Sequence, residues 1–417
     1  MKKILILGGK PIGSCEIVER ANKKGLYTIV SDYLEVCESK AKQIASEHWK
    51  ISTSEVDVLA QKCVEEKVDA IVTGVHEFNI ERKIELCERL GLPQYCTREQ
   101  WDLCENKAAF KQQCEQHGIS IAKTYNEKDK DIEFPVIVKP VDGSGSRGFS
   151  VCQNRQELKV GIKTAEEYSA SGKCLIEEYI QCDACIIHYT ALNGEIIFSG
   201  MSDKYSQRLE GGASVMALQL FPSRSMQDYL NEVNAKAIAM FQNMGITDGP
   251  IWIEAFNDKS NKRFIFNEMG YRFGGSMTNY PVEHFYGIDQ IELMLANATG
   301  MVGIMGNPES FISKSDGYCI LPIHVKAGKI SSVEGIEEAR DIEGVEQIVF
   351  VHHEGDVIQN WGTAQQVFCY LHISYNEISE LEATIKYFHQ TVHVKNENNQ
   401  EMLFYLFDFE KIGIQPM

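Results

Sequence analysis

The sequence predicts an α/β protein that passes into α+β along its length, and three observations carry that prediction. Apolar runs and helical stretches alternate through the first hundred residues. After Gly118 the runs become strand-like and are separated by turn residues, among them Asn193-Gly194, a strong type I′ hairpin signal. The 417 residues are also too many for one ordinary core, so two or three domains are expected.

Lys3–Leu7 is an apolar run closed by the glycine turn Gly8–Gly13, and Cys15–Lys23 has helical spacing. Tyr27–Val30 reads as a second strand ending at Ser31-Asp32, and Val56–Glu66 as a helix. Ala70–Thr73 reads as a third strand, and Ile80–Leu90 as a helix stopped by Gly91 and Pro93. That rhythm implies βαβ units and a parallel sheet. Arg98–His117 is predicted as one helical segment with Gly118 as its stop. Phe134–Lys139 is a strand closed by Pro140, followed by the loop Asp142–Gly148, the strand Phe149–Cys152, the helix Leu158–Tyr168 and the strand Lys173–Ile180. Ile186–Leu192 and Glu195–Ser199 flank the hairpin turn, and a long helix covers 226–244. Ile251–Phe256 and Arg263–Glu268 read as antiparallel strands around Asn257–Lys262, and Ile288–Thr299 as a helix ending at Gly300. Past about Asn307 lies a further α+β section with hairpin-like breaks at Lys326-Ala327-Gly328-Lys329 and Glu354-Gly355-Asp356. No internal repeat or low-complexity linker is visible.

Hydrophobic residues make up 44% and charged residues 24%, the mixture of a packed soluble globule. No apolar run approaches the roughly 18–20 residues of a membrane-spanning helix. The apolar stretch after Met1-Lys2-Lys3 ends at Gly8, too short for a signal segment and suited to a buried first strand. Thirteen scattered cysteines without framework spacing read as reduced thiols in a cytoplasmic protein. Cys182 and Cys185 form a CxxC that lacks a second pair or histidines at ligand spacing, so its reading is structural. The net charge of -18 argues against general nucleic-acid affinity.

Four patterns carry chemistry. The first, Gly8-Gly9-x-x-x-Gly13 with Asp32 at the end of the next strand, is like the start of a dinucleotide site. Its spacing is not GxGxxG and Pro11 interrupts it, so a structural turn that also approaches a ligand is the better reading. The second is Val138-Lys139-Pro140 followed by Gly143-Ser144-Gly145-Ser146-Arg147-Gly148. Backbone N–H groups of such a loop can fold over a triphosphate, with Lys139 and Arg147 as cations. A flexible hairpin tip is the plainer alternative, though it requires neither cation. The third, Leu175-Ile176-Glu177-Glu178-Tyr179-Ile180, joins a strand to a loop and can meet adenine edge-on through its backbone; taken alone it is an ordinary strand end. The fourth is the most specific. Glu254 in Trp252-Ile253-Glu254-Ala255-Phe256 and Glu268 in Asn267-Glu268-Met269-Gly270-Tyr271-Arg272-Phe273-Gly274-Gly275-Ser276 lie among apolar residues on neighbouring strands. Unpaired charges there are expensive, and two hard oxygen ligands are what Mg²⁺ bound to ATP phosphates wants. Arg272 points at the same pocket, where it can stabilise a transferring phosphoryl group; a buried Glu–Arg ion pair is the bland alternative.

Read in order, these features resemble the ATP-grasp superfamily over about the first 300 residues, nearest to its carboxylate–amine ligases related to carbamoyl-phosphate synthase, biotin carboxylase and the L-amino-acid ligases. The resemblance implies three parts: a Rossmann-like pre-ATP-grasp domain over 1–97, a two-part ATP-grasp domain over 98–306, and a small α+β lid or barrel over 307–417. It implies Lys107 and Lys139 as the ATP-binding lysines, Ser144, Gly145, Ser146 and Arg147 as the phosphate loop, and Glu177, Glu178, Tyr179 and Ile180 as the adenine hinge. Asp183 stands where a ribose carboxylate is expected. Glu254 and Glu268 match the magnesium carboxylates, with Mn²⁺ as the alternative ion. Arg272 matches the arginine at the reacting phosphate, and Lys139 and Arg147 complete the catalytic cations. Asp203 and Lys204, with Gly274 and Gly275, fall near the acceptor pocket. Two positions depart from the pattern: Gly270 stands where an asparagine ligand is usual, leaving that ligand missing or replaced by Asn267 or water, and Cys182 and Ala184 follow the hinge.

The implied reaction is attack of a small carboxylate on the γ-phosphate of ATP, then attack of an amine on the acyl phosphate, in a cytoplasmic enzyme for which a homodimer is a common arrangement. A bicarbonate-activating enzyme, a nucleotide-binding regulator with decayed chemistry, and a nicotinamide-dependent oxidoreductase are the alternatives. The substrate pair is not legible.

Overall fold

The computed structural model describes residues 1–10, 12–141, 148–208, 214–259, 261, 263–301, 313, 315–359 and 364–404, the side chains of Asp183, Arg208 and Ser214 excepted. The chain opens with a four-stranded parallel sheet in the order Glu47–Lys50, Tyr27–Asp32, Lys3–Leu7, Ala70–Thr73. The central strands are buried on both faces, so they read as continuous apolar runs. Glu47–Lys50 carries only one buried residue, Trp49, which is why a pattern search passes over this edge strand. Helices Ser14–Lys23, Lys40–Ile44 and Val56–Glu66 lie in the crossovers, and Glu77–Leu90 follows the last strand.

The glycine turn after the first strand is closed from within. Gly9 N–H donates to Asp32 Oδ2 at 2.7 Å, and Lys42, with 1% of its side chain exposed, pairs with Asp32 Oδ1 at 2.6 Å. A Cβ on Gly9 would lie 2.1 Å from Ser39 Oγ. Asp32 therefore ties its own turn together and is not presented to a ribose, which removes the geometric basis of the nicotinamide reading.

The expected single helix over 98–117 is two helices, Arg98–Glu105 and Lys107–Gln116. Asn106 ends the first and caps the second, its Oδ1 accepting from Ala108 N and Ala109 N at 3.0 Å each. The helix expected over 226–244 likewise divides at Val233 into Met226–Glu232 and Asn234–Asn243.

A small antiparallel sheet follows, ordered Thr124–Tyr125, Cys174–Glu178, Val136–Pro140, Ser150–Cys152, with helix Arg155–Tyr168 packed on it. The rest of the chain is dominated by a ten-stranded sheet. Its order is Val345–Phe350, Val367–Tyr375, Gly317–Val325, Ser214–Phe221, Glu195–Arg208, Asp183–Leu192, Gly249–Asp258, Arg263–Gly270 and Ser120–Ile121, with Leu403–Phe404 pairing Gly317–Val325 off that path. Asn193 (φ 51°) and Gly194 (φ 85°) make the expected tight hairpin between two of its strands. The pairing of Ser214–Phe221 with Gly317–Val325 carries the sheet across residue 306 into the C-terminal section. The breaks at 326–329 and 354–356 are not hairpins. The strands they join, Gly317–Val325 to Gly328–Glu334 and Val345–Phe350 to Val357–Ile358, lie in different sheets, so the chain steps to a three-stranded sheet completed by His393–Asn396.

Candidate active site

Strands Gly249–Asp258 and Arg263–Gly270 are antiparallel, and Glu254 stands directly opposite Glu268 at a β-bulge between Glu254 and Ala255. The apolar face of each strand anchors the pair. Ile251, Ile253 and Ala255 are buried in the main core while Trp252, Glu254 and Phe256 point the other way. Glu254 forms an ion pair with Lys204, which reaches over the intervening strand Asp183–Leu192. Its Oε1 accepts from Asn267 Nδ2 at 3.0 Å. Burial opposes ionisation of Glu254, but the charge and hydrogen bond of Lys204, with Asn267 behind them, outweigh it and lower its pKa. Glu268 goes the other way: burial first, and then the Glu254 charge, raise its pKa against the pull of Lys204, Lys107 and Lys139. The two carboxylates compete for one pool of positive charge. A divalent cation between them and the phosphates of ATP would remove that conflict, so the donor set fits Mg²⁺.

Lys139 stands on the small sheet opposite Leu175, with Nζ 2.6 Å from Glu177 Oε2 and 3.5 Å from Asn267 Oδ1. Lys111 takes the other oxygen of Glu177. Glu177 is 2% exposed, so it acts as a clamp between two lysines rather than as a surface carboxylate. Burial, then the charge of Lys107, pushes Lys139 down to about 8. Burial, then the charge of Lys139, pushes Lys111 down to about 7. Lys107 opens the same helix one turn before Lys111 and acts electrostatically on both Lys139 and Glu268. The expected lysines and carboxylates are thus brought together from four separate elements.

The hinge is only partly as expected. Glu178 N–H donates to Lys123 O at 2.8 Å and Tyr179 N–H to Pro135 O at 3.2 Å, so these two donors serve the sheet. The Glu178 carboxylate pairs with Arg263 at 3.2 Å. Ile180 follows on the exit from the strand. Ser144, Gly145, Ser146 and Arg147, and the side chain of Asp183, lie outside the described residues.

Arg272 packs its guanidinium carbon 5.2 Å from the Trp252 ring centroid and pairs with Glu77 at 2.8 Å. Glu77 opens the helix Glu77–Leu90 of the first sheet, so Arg272 links that sheet to the carboxylate strands. Glu105, at the end of Arg98–Glu105, is pushed up to about 7 by burial and by Glu77, against Arg272 and with Glu268 adding. Gly274 is needed for packing, because a Cβ there would lie 2.6 Å from Thr278 Oγ1, whereas a Cβ on Gly275 would meet nothing within 4 Å. Asp203 has its carboxylate engaged within the chain. Its oxygens accept from Ser223 Oγ at 2.6 Å and Arg224 Nε at 3.1 Å, holding a turn. Sequence reading misses Lys111, Glu77 and Glu105. Only Lys111 left a signal, its i,i+4 spacing from Lys107 on one helix face. A separate crevice of ≈ 570 Å³ lies between the first sheet and the C-terminal section, lined by Lys10, Cys37, Lys40, His352 and Asp356 among others, and shares no residue with this site.

Comparison with known proteins agrees with this geometry. Residues 132–280 match the ATP-grasp domain family. The chain is 25% identical over 327 residues to the L-arginine-specific L-amino acid ligase of Bacillus subtilis, covering 70% of this chain and 74% of that one. It is 26% identical over 215 residues to the formate-dependent phosphoribosylglycinamide formyltransferase of Bacillus subtilis, covering 46% of this chain and about half (53%) of that relative. Among solved structures, L-amino acid ligase from Bacillus licheniformis superposes with a TM-score of 0.74 at 18% identity, over 95% of this chain and 99% of that one. The biotin carboxylase domain of Hydrogenobacter thermophilus 2-oxoglutarate carboxylase gives 0.77 at 17% identity, over 97% and 91%. No helix among the described residues is long and apolar enough to cross a membrane. Residues 132–280 are an ATP-grasp domain, and the fold of the chain is that of the L-amino acid ligase and biotin carboxylase structures.

Proposed function

We propose that this enzyme activates a small carboxylate, an amino acid or similar acid, as an acyl phosphate and passes it to an amine. The observation that carries the reading is the Glu254–Glu268 pair, set face to face in a buried site with Lys204, Lys139 and Asn267 around it. Glu254 and Glu268 would hold Mg²⁺, or Mn²⁺ in its place, which when bound neutralises charge on the ATP phosphates. Lys139 and Lys107 would bind those phosphates, with Arg147 and the Ser144–Ser146 loop closing over them; Tyr179 and Ile180 flank the base. Arg272 would face the phosphoryl group in flight. In the first step a carboxylate oxygen bonds to the γ-phosphorus as the bond to ADP breaks. In the second an amine nitrogen bonds to the acyl carbon, phosphate leaves, and the nitrogen loses a proton to solvent. The protein contributes position and charge neutralisation. The division near residues 97 and 306, a cytoplasmic setting and a homodimer belong to the same reading.

A second reading keeps the first step and makes bicarbonate the activated acid. It is favoured by 26% identity over 329 residues to the 2-oxoglutarate carboxylase small subunit of Hydrogenobacter thermophilus, covering 72% of this chain and 67% of that one. One assay tests both: ADP release from Mg-ATP with amino acids singly and in pairs, and with bicarbonate, using Glu268→Ala as the control. Release that requires an added carboxylate and an amine and is lost in the variant supports the ligase. Release with bicarbonate alone supports the second reading, and ATP binding without release from any mixture refutes both in favour of a regulator.

A further inference from the structure

Gly270 departs from the pattern its neighbours follow, and the structure gives a physical reason. Gly270 pairs across the ladder with Trp252. A Cβ at Gly270 would lie 2.3 Å from Trp252 Nε1 and 2.5 Å from Cε2, so the indole fills the space that any larger residue would occupy. Trp252 shares a strand face with Glu254 two residues on, which puts its ring beside the carboxylate pair. Arg272 then lies 5.2 Å from that ring's centroid, within the range of a cation–π contact. The guanidinium is held further by Glu77 at 2.8 Å and by the Phe273 carbonyl, to which Nη1 donates at 3.1 Å. Its side chain is 12% exposed. A long, flexible side chain is thereby fixed from three directions, and the ring it meets occupies the space that a Cβ at residue 270 would need.

We propose that Trp252, seated by Gly270, is a positioning residue that sets Arg272 against the transferred phosphoryl group. The inference rests on the carboxylate-activating reading, because that reading is what places the phosphoryl group before Arg272. A planar cation held over an indole has less freedom to lose at the transition state, so removing the ring acts on kcat more than on ATP binding. Removing the ring is expected to lower kcat by about tenfold. The contact is also one that phenylalanine keeps in weaker form.

The test is a set of variants with two readouts. Trp252→Leu is expected to lower kcat for ADP release about tenfold with the KM for ATP unchanged, and Trp252→Phe to recover most of that loss. Gly270→Ala should push the ring aside and match Trp252→Leu, and it should add nothing further in the Trp252→Leu background, the non-additivity of two residues acting through one contact. The second readout needs no turnover. In protein labelled at arginine, the Arg272 Nε–H proton, assigned by its loss in Arg272→Lys, should be shifted upfield by the indole and move downfield in both Trp252→Leu and Gly270→Ala. Equal kcat in wild type and Trp252→Leu, additive losses, or an Nε–H resonance that ignores the ring overturns the inference. An upfield resonance in a wild-type protein that releases no ADP with any acid instead overturns the carboxylate-activating reading, and with it any phosphoryl group for Arg272 to face.

Discussion

Lys139 answers to two demands that pull apart. Burial favours its neutral form, and phosphate binding needs its charge. With its pKa lowered from 10.5 to about 8 in the empty site, it is charged below that pH and largely neutral above it. An ATP phosphate would restore the proton, so between about 8 and 10.5 binding must take one up and affinity must fall as pH rises. Titration calorimetry of a non-hydrolysable ATP analogue should show Kd weakening towards about tenfold per pH unit in that window. Lys139→Arg, which keeps its charge, should flatten the curve. Asp203, expected near the acceptor pocket, has its carboxylate engaged in holding a turn. Its loss leaves Ser223 and Arg224 without their acceptor, so Asp203→Ala should cost about 1–3 kcal/mol in chemical denaturation and leave the choice of acceptor unchanged. A changed acceptor profile would place Asp203 at the pocket. The two residues also differ in what sequence could say of them. Lys139 ends a strand before a glycine loop, a local pattern, whereas the partners of Asp203 lie twenty residues on and leave no periodic trace.

At the scale of elements, the break at Asn106 does more than divide a helix. It starts a new helix with Lys107 at its first position and Lys111 one turn later, which puts Lys111 on Glu177 of the small sheet and Lys107 within electrostatic reach of Lys139 and Glu268. Asn106→Ala removes an acceptor from two N–H groups and should lower stability by about 1 kcal/mol. It should also weaken ATP binding by loosening the first turn, where Lys107 sits; an unchanged Kd would show that the cap serves folding alone. The sequence reading ran one helix through this point because apolar spacing hardly changes across Asn106, and asparagine signals a cap only when its helix is already known to start there. The Asn193-Gly194 hairpin was legible for the converse reason: both residues need φ > 0, and that demand is local. The ion pair of Lys204 with Glu254 spans three strands, a relation set by sheet order.

For the whole molecule, the large sheet takes strands from both the central and the C-terminal sections, across the boundary expected near residue 306. Ser214–Phe221 is covered on one side only by Gly317–Val325. A chain ending at Met301 would present that strand as an apolar open edge and is expected to aggregate, as light scattering would show. A monodisperse fragment that still binds ATP would mean that the C-terminal section is dispensable to the fold. The α/β opening, the antiparallel carboxylate strands and the α+β ending were all readable from periodicity. Sheet order was not, because it depends on pairings between segments far apart in the chain.

The pairing of Ser120–Ile121 with Ile265 and Phe266 also fixes a schedule. During synthesis the chain acquires Lys107, Lys111, Lys139 and Glu177 long before Glu254 and Glu268, and the edge strand at 120 waits some 145 residues for its partner. Up to that point the chain has made three of the site's lysines and, of its carboxylates, the Glu177 that Lys111 and Lys139 share in the finished fold. A ribosome-bound chain halted before residue 250 should therefore hold phosphate compounds loosely and without a metal requirement. On the proposed reading, a divalent ion would be called for only once Glu254 and Glu268 are both in place.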